Sequence, residues 1–96
     1  MKRLDGIGMT QQGITAEEIR NHCIETYIEP ARAKGQKQVT IRVGDVHGEL
    51  GLSGRYASVF AAIGTKLFER ESRVKRLSID GPNSAPTAIF KFEILP

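Results

Sequence analysis

The stretch from residue 43 to residue 70, VGDVHGELGLSGRYASVFAAIGTKLFER, decides the fold. Its first half offers Val46, Leu50 and Leu52 for burial. In its second half Tyr56, Val59, Phe60, Ile63 and Leu67 recur at intervals of three, one, three and four, which keeps them on one side of a helix of period 3.6. Ser58, Ala61, Ala62 and Thr65 fall on the opposite side, flanked by Arg55 and Lys66. The second helix is therefore expected to show solvent a face of small residues bordered by positive charge, a surface that can lie close against an anionic partner. Gly51 suits the left-handed residue that ends the first helix, and either Ser53 or Gly54 can start the second. A connection that short between two helices is that of a helix-turn-helix.

Upstream, residues 1–13 hold three glycines and two glutamines with no periodic apolar pattern, and are expected to form a flexible tail ahead of a single domain over 14–96. The signals change together at Ile14: Thr15 and Glu18 have capping-box spacing, and Ile14 with Ile19 that of a hydrophobic staple. Ile19, Cys23, Ile24, Tyr27, Ile28 and Ala31 continue an apolar stripe, with Glu17, Arg20, Glu25, Glu29 and Arg32 on the wet side. Pro30 must either kink this helix near Ile28 or stand in the first turn of a restarted one. Lys34 and Gly35 close it. Val39 to Val43 then alternates apolar and polar, the pattern of a short strand with one buried face.

Downstream, Gly64 either sits inside the second central helix, at a cost of about 1 kcal/mol relative to alanine, or ends it and leaves residues 65–71 as a short continuation. Two strand-like runs follow, 74–80 and 87–95, around the loop GPNSAP. Phe90, Phe92 and Ile94 share one face of the second run, Lys91 and Glu93 the other, and Leu77 and Ile79 are expected to pair with the aromatic face. The class is thus α+β, in the order helix, strand, helix, helix and a two-stranded C-terminal hairpin.

With 96 residues, 40% hydrophobic and 26% charged, the composition is that of one ordinary globular domain, and no apolar run approaches the roughly 20 residues of a membrane span. The N-terminus lacks the apolar segment of a secretory signal, and the lone Cys23 can form no internal disulfide; a cytoplasmic protein is expected. Net charge is +3, unevenly spread. Basic residues number three against four acidic between 14 and 35, four against two between 53 and 73, and three against two between 74 and 96. A basic second half is the electrostatic footprint of a nucleic-acid binder.

Gly44-Asp45-Val46-His47-Gly48, after an apolar strand, resembles the first metal motif of the calcineurin-like metallophosphoesterases. That family needs further ligands from motifs of the GDxxDRG and GNHE kind, and neither follows here. Asp45 is expected instead to start a helix, with His47 on its solvated face. His22, Cys23 and His47 do not make a zinc site, because adjacent helical residues point about 100° apart and no fourth ligand is evident. No nucleophile elbow, P-loop or dinucleotide fingerprint is present, so neither an enzyme nor a metal or other cofactor is expected.

The element order resembles that of the winged helix-turn-helix superfamily, and the segments IEPARAKG, VTIRVGDVH, LGL and RYASVFAAI are similar to small prokaryotic winged-helix-like proteins. The resemblance implies that the third helix enters the major groove of double-stranded DNA and that the hairpin tip, the wing, touches the neighbouring backbone. By position it implicates Ser53, Arg55, Ser58, Thr65 and Lys66 on the helix and Asn83, Ser84 and Thr87 on a wing that has no Arg or Lys at its tip. Arg70, Arg73, Lys75 and Arg76 would serve the phosphate backbone. The expected function is a DNA-binding transcriptional regulator or chromatin-type, nucleoid-associated protein, working as a homodimer through the helix that carries Cys23, Ile24 and Ile28. The alternative is a winged helix that binds another protein without DNA, since small residues also suit helix against helix.

Overall fold

The capping box at Thr15 forms in full. In the computed structural model, which describes residues 14–82 and 85–96, Thr15 Oγ1 accepts the Glu18 backbone N–H at 3.1 Å and the Glu18 carboxylate receives the Thr15 N–H at 2.8 Å. The expected tail, Asn83 and Ser84 lie outside the described residues. From this start α1 (Ala16–Cys23) runs into a π-helical turn (Ile24–Ile28) and on into α2 (Glu29–Ala33). In the wider turn the Glu29 N–H reaches back to the Ile24 carbonyl. Pro30 then stands in the first turn of α2, where a missing N–H leaves little unpaired. The helix restarts at its proline. The extra residue of the π turn also keeps the buried stripe aligned, with Ile19, Cys23, Ile28 and Ala31 buried at intervals of four, five and three.

β1 (Gln38–Arg42), β2 (Val74–Asp80) and β3 (Ile89–Ile94) form an antiparallel sheet in the order β1-β3-β2. The C-terminal hairpin is therefore not a two-stranded unit. Its second strand is the centre of the sheet, with Ile41 opposite Phe90 and Val39 opposite Phe92. A bulge at Leu77 corrects the expected pairing of β2: Ile79 does meet Phe90, but Leu77 stands between Arg76 and Ser78 in the register and is 43% exposed. A bulged edge strand is also a poorer template for pairing with another chain.

Between β1 and β2 come α3 (Val43–Glu49), α4 (Tyr56–Ile63) and α5 (Lys66–Ser72). Gly51, at φ +66°, supplies the left-handed residue after α3 as expected, while Arg55, not Ser53 or Gly54, caps the start of α4. Gly64 ends α4, and Thr65 opens α5 by accepting the Phe68 N–H at 3.1 Å. Ending there removes Leu67 from the α4 stripe: it lies on α5, 36% exposed, and Phe68 is the buried residue of that helix. One apolar cluster joins the first helix (Ile19, Cys23, Ile28) to Val46, Val59, Ile63 and Phe68 and to the sheet residues Ile41, Phe90 and Phe92. The architecture is α+β, and among the described residues no helix is long and apolar enough to cross a membrane.

Candidate nucleic-acid interface

The joint between α3 and α4 is held by a histidine expected on the solvated face of its helix. His47 is buried, 6% exposed, rather than solvated. Its Nε2 accepts the Arg55 backbone N–H at 3.1 Å, and its ring stacks on Tyr56 with centroids 4.0 Å apart. The accepting nitrogen carries no proton, so the imidazole is neutral with its proton on Nδ1. The spacing contained the signal, since Val43, Val46, His47 and Leu50 are one apolar stripe at intervals of three, one and three.

The neighbouring residues of the GDVHG segment have equally structural tasks. Asp45 Oδ1 pairs with Arg42 at 3.2 Å, Val46 is wholly buried, and the Gly44 N–H donates to the Pro86 carbonyl at 2.9 Å. A Cβ on Gly44 would lie 2.7 Å from that same carbonyl oxygen, so only glycine permits the approach. Gly44→Ala is expected to lower stability by about 1–3 kcal/mol, read from the midpoint of a urea melt, because backbone rather than a pliant side chain must give way. An unchanged midpoint would refute the contact. Among the described residues no three His, Cys, Asp or Glu side chains gather as a metal site.

The small-residue face of α4 divides instead of facing solvent as a whole. Ala62 is buried, Ser58 is half-buried, and Ala61 and Thr65 are exposed. With Ile14, Ala16, Ile19 and Arg20 these four line a groove of about 300 Å³ between the first helix and α4. The small side chains thus serve a close helix approach as much as an open surface. Ala57 and Ala61 remain on the outward side of α4, with exposed Ser53 in the turn before it and half-buried Arg55 at its cap.

The other proposed contacts fall on elements beyond α4. Thr65 and Lys66 belong to the start of α5, where Lys66 is 89% exposed and 3.8 Å from Glu69. Arg70, Arg73 and Lys75 are exposed, and among the described residues their side chains have no ion-pair partner. Arg73 occupies a left-handed conformation at φ +56°, ending α5, and its carbonyl receives Arg32 at 3.0 Å. Arg76 is exposed too, and its guanidinium donates to the Gly64 carbonyl at 3.3 Å and its backbone N–H to Glu69 at 3.2 Å, which links β2 to the α4–α5 joint. The part of the hairpin loop that leads into β3 is tied to α3 as well. Beyond the Gly44 contact, the Ala88 carbonyl accepts the Val43 N–H at 2.9 Å, which leads this loop across the start of α3; Thr87 is exposed on it.

On the far side of α3, Glu49 accepts from His22 Nε2 at 2.7 Å and from the Tyr27 hydroxyl at 2.5 Å. His22 and Tyr27 are five apart and meet one acceptor because the π turn lies between them. Burial and the Glu49 hydrogen bond hold the Tyr27 phenol above its ordinary range, and burial with the Glu49 charge pushes the Cys23 thiol up to about 12. Cys23 and Ile28, expected at a dimer contact, are 0% exposed within one chain's own core, and half-buried Ile24 packs against that core. Of the three, only Ile24 therefore keeps exposed surface. Compared with protein-family models, curated proteins and solved structures, the chain matches none.

Proposed function

We propose that this chain is a DNA-binding domain of the winged helix-turn-helix kind, which lays α4 in the major groove of double-stranded DNA. The observation that carries the reading is the α3–α4 pair: a glycine-turned joint locked by His47, an outward row of small residues on the second helix, and exposed cations on the elements that follow it. Ser53, Arg55 and Ala57 are the residues proposed near base edges, Ser58 and Thr65 standing nearer the α1 groove. Lys66, Arg70, Arg73 and Lys75 are proposed on phosphates together with Arg76, which is exposed on β2 and also reaches the Gly64 carbonyl. The hairpin adds cations from β2, and its loop, which has no Arg or Lys, is proposed to lie by the neighbouring backbone. A homodimeric, nucleoid-associated regulator is the setting that fits such a domain, because one copy spans few base pairs.

The test is fluorescence anisotropy on random duplex DNA at two ionic strengths, with affinity expected to fall steeply as salt rises. Lys75→Ala should flatten the salt slope by about one unit and weaken all sequences alike. Arg55→Ala should cost about 1–3 kcal/mol on a sequence selected from random DNA and much less on nonspecific DNA, with circular dichroism unchanged. Equal losses on both would remove α4 as the reading helix and leave a coat without sequence preference. Absence of binding at low salt would leave the protein-interaction reading, which the groove between the first helix and α4 favours.

A further inference from the structure

We infer that His47 is a pH-sensitive latch, and that its protonation releases the start of α4 from α3 while the rest of the core stays folded. The inference stands on the geometry of the joint and holds whether or not the helix reads DNA. The Arg55 N–H donates to His47 Nε2 at 3.1 Å. An imidazolium has two N–H donors and no acceptor, so proton uptake at Nε2 sets one N–H against another and ends that bond. The ring is also 6% exposed, where a charge needs a partner.

Among the described residues, no surrounding carboxylate is placed to take the charge. On α3 itself Asp45 is engaged by Arg42 from β1, and Glu49 by His22 and Tyr27 from the first helix. From α4 the neighbours are Arg55, a cation, and Tyr56, whose ring is stacked on the imidazole. Among the described residues the hairpin loop meets α3 through the carbonyls of Ala88 and Pro86, both used by the Val43 and Gly44 N–H groups. The imidazolium therefore leaves its pocket toward water, the stack on Tyr56 opens, and the first turn of α4 loses its tie.

Amide hydrogen exchange by NMR on the full chain, at pH values spanning the imidazole range of about 5 to 8, tests the latch. After correction for intrinsic exchange, protection of the Arg55 amide is expected to fall about tenfold at the acid end, while Ile41 and Phe90 keep theirs. His47→Gln supplies a carbonyl acceptor that does not titrate and should abolish the change; His22→Gln should leave it intact. Equal acid sensitivity in His47→Gln, or loss of Ile41 and Phe90 protection together with Arg55, would overturn the proposal. Should His47→Gln not fold, the imidazole nitrogen shifts of the unaltered chain decide the matter: a ring still neutral at pH 5 with Arg55 protected also overturns it.

Discussion

Phe90→Ala is expected to cost about 3–5 kcal/mol, enough to lower the melting temperature of a domain this size by more than about 12 °C. Phe90 lies on the central strand, is 0% exposed, meets Phe60 of α4 edge-on at 4.9 Å and stacks parallel to Phe92 at 5.9 Å. Its ring also lies beneath the α4–α5 joint, 3.6 Å from where a Cβ on Gly64 would stand. The truncation therefore removes contacts to the sheet, to α4 and to the joint at once, and β3 cannot collapse into the gap without breaking its pairing with β1 and β2. Thermal and urea melts followed by circular dichroism measure the loss. A change below about 1.5 kcal/mol would mean that the aromatic layer is not the centre of the core. Leu77→Ala, at the exposed bulge, is the contrast, with an effect expected within about 0.5 kcal/mol.

Alkaline destabilisation is the second large effect. Burial raises the Cys23 thiol from its ordinary 9.0 to about 12, so the folded chain holds a proton that the unfolded chain releases. The stabilisation is fully present below pH 9 and is lost as pH rises toward the folded value. The loss from this one group runs at about 1.4 kcal/mol per pH unit above 9, reaching about 4 kcal/mol near pH 12. Tyr27, raised above its ordinary 10.0, acts in the same direction from that pH upward. Stability from urea midpoints at successive pH values should therefore bend down above pH 9, and Cys23→Ala should remove most of the bend between 9 and 10. A variant that follows the same curve as the unaltered chain would show that the thiol ionises without penalty, contrary to its burial.

Arg73 allows the two roles of a basic residue to be separated. It carries an exposed charge proposed to meet phosphate, and it also occupies a left-handed backbone that glycine adopts at no steric cost. Removing the charge as Arg73→Gly therefore tests DNA affinity without straining the end of α5.

The local chemistry of the chain determined much on its own. The capping box at Thr15, the left-handed Gly51, the alternation of Val39 and Ile41 and the aromatic face of β3 depend on neighbours within a few residues, and each forms as its spacing predicts. The choice at Pro30 and the choice at Gly64 depended on hydrogen bonds to other turns. Both were decided by the fold: a π turn restores the buried stripe before the proline, and Thr65 caps a new helix after the glycine.

Which side of α4 meets water was a tertiary decision. Periodicity sorts a helix into two faces, but alanine and serine are small enough for either, and the first helix came to rest on Ala62 and beside Ser58. Long-range partners likewise linked the exposed Arg76 to Gly64 and Glu69, and joined β1 to β3 across about fifty residues of chain. His47 shows both sources together. Its spacing put it on the apolar stripe of α3, yet only the return of the chain through Gly51 to Arg55 brought up the N–H that makes a buried imidazole stable. A polar side chain in a core needs a partner, and here that partner comes from the next helix, so sequence spacing could place the ring but only the folded joint could satisfy it.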